Sequence, residues 1–109
     1  MRTLILAVTA VTALTATAAD AAGWRASHPR RAEVNGRLEN QGDRIAAGRR
    51  DGQLTAAEAH SLRADDRRIR SEERLMARND GGHITKADQR ALNQQENANS
   101  RAIYADRHN

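Results

Sequence analysis

The sequence predicts an all-α protein: a three-helix hairpin or bundle that contains an internal helix-turn-helix repeat and follows an N-terminal signal peptide. Three observations predict this fold. Apolar residues recur at helical spacing, two turns carry closely similar helix-start signals, and the first twenty or so residues have the charge and hydropathy pattern of an export signal. A mature chain this short is expected to form a single domain.

The export signal begins with the positive charge of Arg2 and continues through the uncharged, apolar segment 3–19. Ala19-Asp20-Ala21 then fits an A-x-A cleavage site. The expected division is a signal peptide over 1–21, a flexible lead-in over 22–30 and a single helical domain over 31–109. The apolar run is shorter than the roughly 20 strongly apolar residues of a membrane span. We therefore expect a periplasmic or secreted protein with no membrane span in the mature chain.

The first helix is predicted over 31–47, because Val34, Leu38 and Ile45 fall on one face at helical spacing. The second is predicted over 55–78. It opens on a capping box, in which Thr55 accepts a hydrogen bond from the third helical amide and Glu58 accepts one from the Thr55 amide. Along this helix apolar residues recur every seven positions with acidic residues between them, so most of the helix should face water; the apolar residues are Leu62, Ile69 and Met76.

The third helix is predicted over 85–104, fraying near Tyr104. It follows Asn79-Asp80-Gly81-Gly82 and opens on a second, weaker capping box with Asp in place of Glu. The two helix starts are 30 residues apart, which indicates an old duplication that shares the middle helix. The matching pairs are Gly52 and Gly82, Leu54 and Ile84, Thr55 and Thr85, Glu58 and Asp88, Leu62 and Leu92.

Few large apolar residues are available for a core. Outside the signal they are Trp24, Val34, Leu38, Ile45, Leu54, Leu62, Ile69, Leu75, Met76, Ile84, Leu92, Ile103 and Tyr104. Each contributes roughly 1.5–3 kcal/mol when fully buried, against about 1–2 kcal/mol per residue for ordering the backbone. The chain has no cysteine to add a disulfide. We therefore expect a marginal core that gains from a protein partner or from self-association.

The repeated turn suggests one candidate metal site. Gly52, Leu54 and Glu58 occupy positions of the second half of an EF-hand calcium loop. The oxygen-bearing candidates in the two copies are Asp51, Glu58, Asp80 and Asp88. The first half of the loop does not match, because alanine stands at position 1 in both copies, Ala47 and Ala77. A helix stop followed by a capped helix start explains the same residues without calcium, and we favour it.

Charge and composition argue against several functions. The net charge is +4, but acidic residues interleave with the arginines and only two aromatic residues are present, so nucleic-acid binding is not expected. The four histidines lack metal-ligand spacing. No nucleophile motif, phosphate loop or converging carboxylate pair indicates an enzyme or a cofactor. An electrostatic contact with an anionic envelope surface remains open.

The chain resembles a group of short exported proteobacterial helical proteins of unknown function. The resemblance lies in Gly-x-Leu-Thr-x-x-Glu, a charged helix, Asp-Gly-Gly-x-Ile-Thr-x-x-Asp and the tail 99–109. It implies a periplasmic or secreted helical protein and assigns no catalytic residue. A looser likeness is to periplasmic proteins of the Spy and CpxP type, with Glu58 and Asp88 replacing their glutamine. The expected function is a non-enzymatic interaction protein, chaperone-like or stress-related, whose arginine-rich middle helix docks an acidic or partly unfolded partner; the alternative is calcium binding.

Overall fold

A computed structural model describes residues 21–109, and every regular element in that range is a helix. The elements are α1 (residues 21–27), α2 (Pro29–Arg50), α3 (Ala56–Asn79) and α4 (Lys86–Arg107). The all-α prediction is confirmed. The count of three helices was incomplete, because α1 precedes the three long helices and lies within the segment 22–30 that was expected to be a lead-in. Apart from Ala21, the predicted signal peptide lies outside the described residues.

Local signals account for the helix starts. Pro29 opens α2, where its missing amide proton costs nothing because the first helical amides lack intrahelical partners. Thr55 and Thr85 cap α3 and α4, and both capping boxes are complete. The helices extend beyond the predicted 31–47 at both ends and beyond the predicted 85–104 at the carboxyl end.

The three long helices all pack against one another and alternate in direction. An ion pair from Arg31 to Glu73 joins the start of α2 to the end of α3. Arg44 of α2 donates 2.7 Å to the Ser100 hydroxyl of α4, and Gln89 donates 3.3 Å to Glu33 near the opposite end. Helix α3 is therefore antiparallel to both of its neighbours, while α2 and α4 are parallel.

The core consists of two apolar clusters separated by polar side chains. One cluster contains Val34, Leu38, Ile69, Ala77, Ile84 and Leu92, with Met76 packed against it. The other contains Ile45, Leu54, Ala59, Leu62 and Ile103, with Ala102 packed against it. Between them lies what we call the polar layer, formed by Gln41, Asp66, Glu96 and Asn99. Each turn thus supplies its apolar residues to a different cluster.

Three residues expected in the core are exposed instead. Trp24, Leu75 and Tyr104 are 36%, 56% and 61% exposed. At the end of α3 the inward face passes through Glu73 and Ala77, which turns Leu75 to solvent. Among residues 21–109, no helix combines the length and apolar character that crossing a membrane requires.

Candidate functional site

The candidate calcium residues lie in the two turns at opposite ends of the bundle. Glu58 and Asp88 act as helix caps, since their carboxylate oxygens accept the amide hydrogens of Thr55 and Thr85 at 2.9 and 3.1 Å. Asp51 and Asp80 are exposed residues at the ends of α2 and α3. The structure therefore does not bring the four residues together. Within residues 21–109, no group of three or more histidine, cysteine, aspartate or glutamate side chains is placed to hold a metal ion.

The arginines of α2 have structural partners. Arg30, Arg31 and Arg49 donate to carbonyl oxygens in the two turns, those of Ile84, Gly82 and Leu54, at 3.4, 3.1 and 3.1 Å. Arg37 donates to the side chain of Asn97, and Arg44 donates to both the hydroxyl and the carbonyl of Ser100. These guanidinium groups therefore join α2 to both turns and to α4.

The arginines of α3 are arranged differently. Five of them recur at spacings of four, three, four and four residues, which keeps them on one side of the helix over about 22 Å. We call this set the arginine stripe; its members are Arg63, Arg67, Arg70, Arg74 and Arg78. Within residues 21–109 none of the five donates a hydrogen bond or forms an ion pair, whereas Arg68, on another side of α3, lies 3.3 Å from Asp65.

The arginine stripe borders a groove between α2 and α3. Arg63, Arg67 and Arg70 line a cavity of about 240 Å³ opposite Glu39 and Gly42. Nearer the end of α3, a second cavity of about 710 Å³ lies where α1, α2 and α3 meet, and Arg70 and Arg74 line it beside Trp24. The glycine on the α2 wall leaves the groove open, since a Cβ added to Gly42 would meet nothing within 4 Å.

Two glutamates are buried in the bundle, and each lies beside an arginine of α2. Glu73 is 1% exposed and accepts from both Nε and Nη2 of Arg31, which neutralises its charge. Glu96 is fully buried, and neither of its carboxylate oxygens receives a hydrogen bond from the described residues. Burial raises the pKa of Glu96 to about 7, although Arg37, 3.6 Å away, opposes the shift. Burial also raises the pKa of Asp66, while the hydrogen bond from Asn99 opposes that shift.

An aromatic stack closes one end of the molecule and was not predicted from the sequence. His28 stacks between Trp24 and His83, with ring centroids 4.7 and 4.6 Å apart. The Arg31 guanidinium carbon also lies 5.3 Å from the centre of the Trp24 ring. Trp24 and His28 are four residues apart, but His83 is 55 residues beyond His28, and only the fold places the turn before α4 beside them.

Sequence reasoning identified α3 as arginine-rich but missed the contrast between its arginines and those of α2. The spacing of the stripe was readable in the sequence, whereas four of the five paired arginines of α2 contact residues more than 40 positions away; Arg49, which donates to Leu54, is the exception. Comparison with known proteins adds no further assignment: the chain matches no protein-family model, no curated protein and no solved structure.

Proposed function

We propose that this protein is an exported, non-enzymatic interaction protein that docks an acidic, partly unfolded protein through the arginine stripe. The observation that carries the proposal is the row of five guanidinium groups without partners among the described residues. A guanidinium group forms strong, two-pronged hydrogen bonds with carboxylates. A row of such groups, held at fixed spacing on a helix, therefore favours a segment that presents several carboxylates.

The distribution of charge on α3 supports this reading. Its acidic residues Asp66 and Glu73 point towards the bundle, and Asp65 and Glu72 lie towards α4, where Glu72 accepts a hydrogen bond from Gln95 at 2.6 Å. The stripe side of the helix therefore carries five guanidinium groups, and Asp66 and Glu39 are the acidic side chains in the groove beside them. A second copy of this chain is a poor occupant, because each copy has a net charge of +4.

Export is part of the proposal. It is supported by the sequence pattern of residues 1–21, which combines Arg2, an uncharged apolar run and an A-x-A site. A periplasmic or secreted location would expose the stripe to envelope or extracellular proteins that have lost their structure. A chaperone-like or stress-related role follows, because such clients present extended acidic segments without competing tertiary structure.

The test is suppression of aggregation at low ionic strength, with reduced α-lactalbumin as the acidic client and reduced lysozyme as the basic one. We expect the protein to suppress aggregation of the acidic client only. Suppression should weaken at about 0.15 M salt, where charges more than ~8 Å apart are largely screened. The triple variant R63Q/R67Q/R78Q should lose most of the effect.

The matched control is R50Q/R90Q/R101Q, which removes the same charge from exposed arginines outside the stripe. Equal loss in both triple variants would show that net charge alone is responsible. Equal suppression of both clients would show that the stripe does not select acidic chains. Either result would contradict docking through the stripe.

A further inference from the structure

The cavity of about 710 Å³ between α1, α2 and α3 has a lining of unusual composition. Its volume lies within the ~300–1,000 Å³ typical of small-molecule sites. Four arginines and two glutamates line it, so the charged lining has a net charge of +2; these residues are Arg25, Arg31, Arg70, Arg74, Glu39 and Glu73. Trp24 forms part of the same wall.

One side of the cavity is held in place by several contacts. Arg31 is paired with the buried Glu73, donates 3.1 Å to the carbonyl of Gly82 and lies over the ring of Trp24. Trp24 in turn stacks on His28. Side chains fixed in this way lose little freedom when a ligand arrives, which lowers the entropic cost of binding.

The other charged groups of the cavity have no such partners. Within residues 21–109, Arg25, Arg70 and Arg74 donate no hydrogen bond and form no ion pair, and they come from two different helices. Since Glu73 is paired with Arg31, Glu39 is the remaining acidic group in the lining. Three guanidinium groups are therefore available to one ligand.

The geometry points to a binding site for a phosphoryl dianion, the terminal group of a phosphomonoester, in this cavity. A phosphomonoester carries a charge of about −1.5 to −2 at pH 7, which matches the net charge of the lining. Its three terminal oxygens point in different directions and can accept from guanidinium groups on both α1 and α3. A planar carboxylate is satisfied by a single guanidinium in its own plane. This site shares Arg70 and Arg74 with the arginine stripe, but its ligand and its test do not depend on the proposed protein docking.

Fluorescence provides a direct readout, because Trp24 is the only tryptophan in the chain. The full chain is titrated with glycerol 3-phosphate at constant ionic strength, with sodium chloride and the dicarboxylate malonate as comparison anions. Phosphatidylcholine vesicles with and without phosphatidic acid test the same group in a lipid headgroup. We expect a saturable change with glycerol 3-phosphate, with phosphatidic acid vesicles, or with both, and a markedly weaker response to malonate.

Variants assign the response to the cavity. R70Q/R74Q should weaken binding by about tenfold or more, because each charge-assisted hydrogen bond contributes strongly. The matched control R63Q/R67Q removes the same charge from the stripe outside this cavity and should bind normally. E39Q removes the unpaired acid and should bind several-fold more tightly, which keeps the test informative even if R70Q/R74Q fails to fold.

The outcomes separate the ligand sources and the two proposals. A response to glycerol 3-phosphate indicates a soluble ligand, and a response to phosphatidic acid vesicles alone indicates a lipid headgroup. Equal binding of malonate, equal loss in both double variants, or no response beyond that to chloride would overturn the phosphoryl site. None of those results would change how well the R63Q/R67Q/R78Q variant suppresses client aggregation, and that assay tests the protein docking by itself.

Discussion

Helices α2 and α3 contain six arginines each, but the two sets differ in the hydrogen bonds and ion pairs that they form. Five of the six in α2 donate hydrogen bonds to other parts of the bundle. In α3, within the described part of the chain, Arg68 alone forms an ion pair, and that pair is exposed and local. The number of arginines in a helix therefore says little about function unless the contacts of each guanidinium group are known.

The same contrast separates the two interfaces of α2. On the α4 side, side chains bridge the helices along most of their length, from the Gln89–Glu33 pair to the Arg44–Ser100 pair. On the α3 side, a groove with small residues on one wall and the arginine stripe on the other is left open. Both interfaces therefore hold the fold together, the second through the Arg31–Glu73 ion pair and a shared apolar cluster, but only the second leaves a groove that is accessible to a ligand.

The largest expected difference between the two sets comes from Arg31. Replacing it with methionine leaves Glu73 buried and unpaired, which should cost about 3–5 kcal/mol of unfolding free energy. Replacing the stripe residue Arg74 with methionine should change stability by no more than about 0.5 kcal/mol. Urea unfolding measures both.

A second change tests whether the ion pair itself is responsible. The double variant R31M/E73L removes both charges and should recover most of the lost stability, because apolar pairs commonly replace buried ion pairs at little cost. If R74M proves as destabilising as R31M, the division between structural and available arginines does not hold.

The next largest effect is a pH dependence of stability that comes from Glu96 in α4. Because the folded-state pKa of Glu96 is raised from 4.5 to about 7, the folded state holds this proton more tightly than the unfolded state does. Stability from this group is therefore greatest below pH 4.5 and is lost as the pH rises towards and through 7. The full loss is on the order of 3 kcal/mol.

Urea unfolding at several values between pH 5 and pH 8 should thus show the protein weakening as the pH rises. E96Q, which cannot ionise, should flatten that slope and be more stable than the wild type at pH 8. A wild-type slope that persists unchanged in E96Q would place the titrating group elsewhere in the polar layer, with Asp66 as the next candidate, since its pKa is also raised by burial.

The smallest effects compare two glycines of α2. A Cβ at Gly48 would lie 2.8 Å from two carbons of the Leu54 side chain, so G48A should cost about 1–3 kcal/mol. A Cβ at Gly42, on the open groove, would meet nothing within 4 Å, so G42A should stabilise the helix by roughly 0.5–1 kcal/mol. Thermal unfolding of both variants checks the opposite signs; a destabilising G42A would mean that the groove is closed in solution.

Local signals made part of this fold predictable. Both capping boxes lie within four consecutive residues, and both form as the sequence predicts, at Thr55 and at Thr85. Short-range chemistry determines these features, so a sequence displays them directly.

Tertiary contacts determine the rest. Leu75 was expected in the core, but the bundle turns Glu73 inward to meet Arg31 from another helix and leaves Leu75 exposed. The stack of Trp24, His28 and His83, and with it the wall of the cavity, requires residues 55 positions apart in sequence to meet. The candidate calcium residues matched a local pattern, and the structure uses two of them, Glu58 and Asp88, as caps.

The arginine stripe and Glu96 respond to alkalinity in different ways. Arginine as a residue type keeps its proton throughout the pH range in which proteins are stable, and the stripe contains no other basic residue type. The buried Glu96, in contrast, ionises near neutral pH and weakens the fold as it does so. At alkaline pH the fold is therefore expected to be less stable, whereas a surface built from arginine loses none of its positive charge.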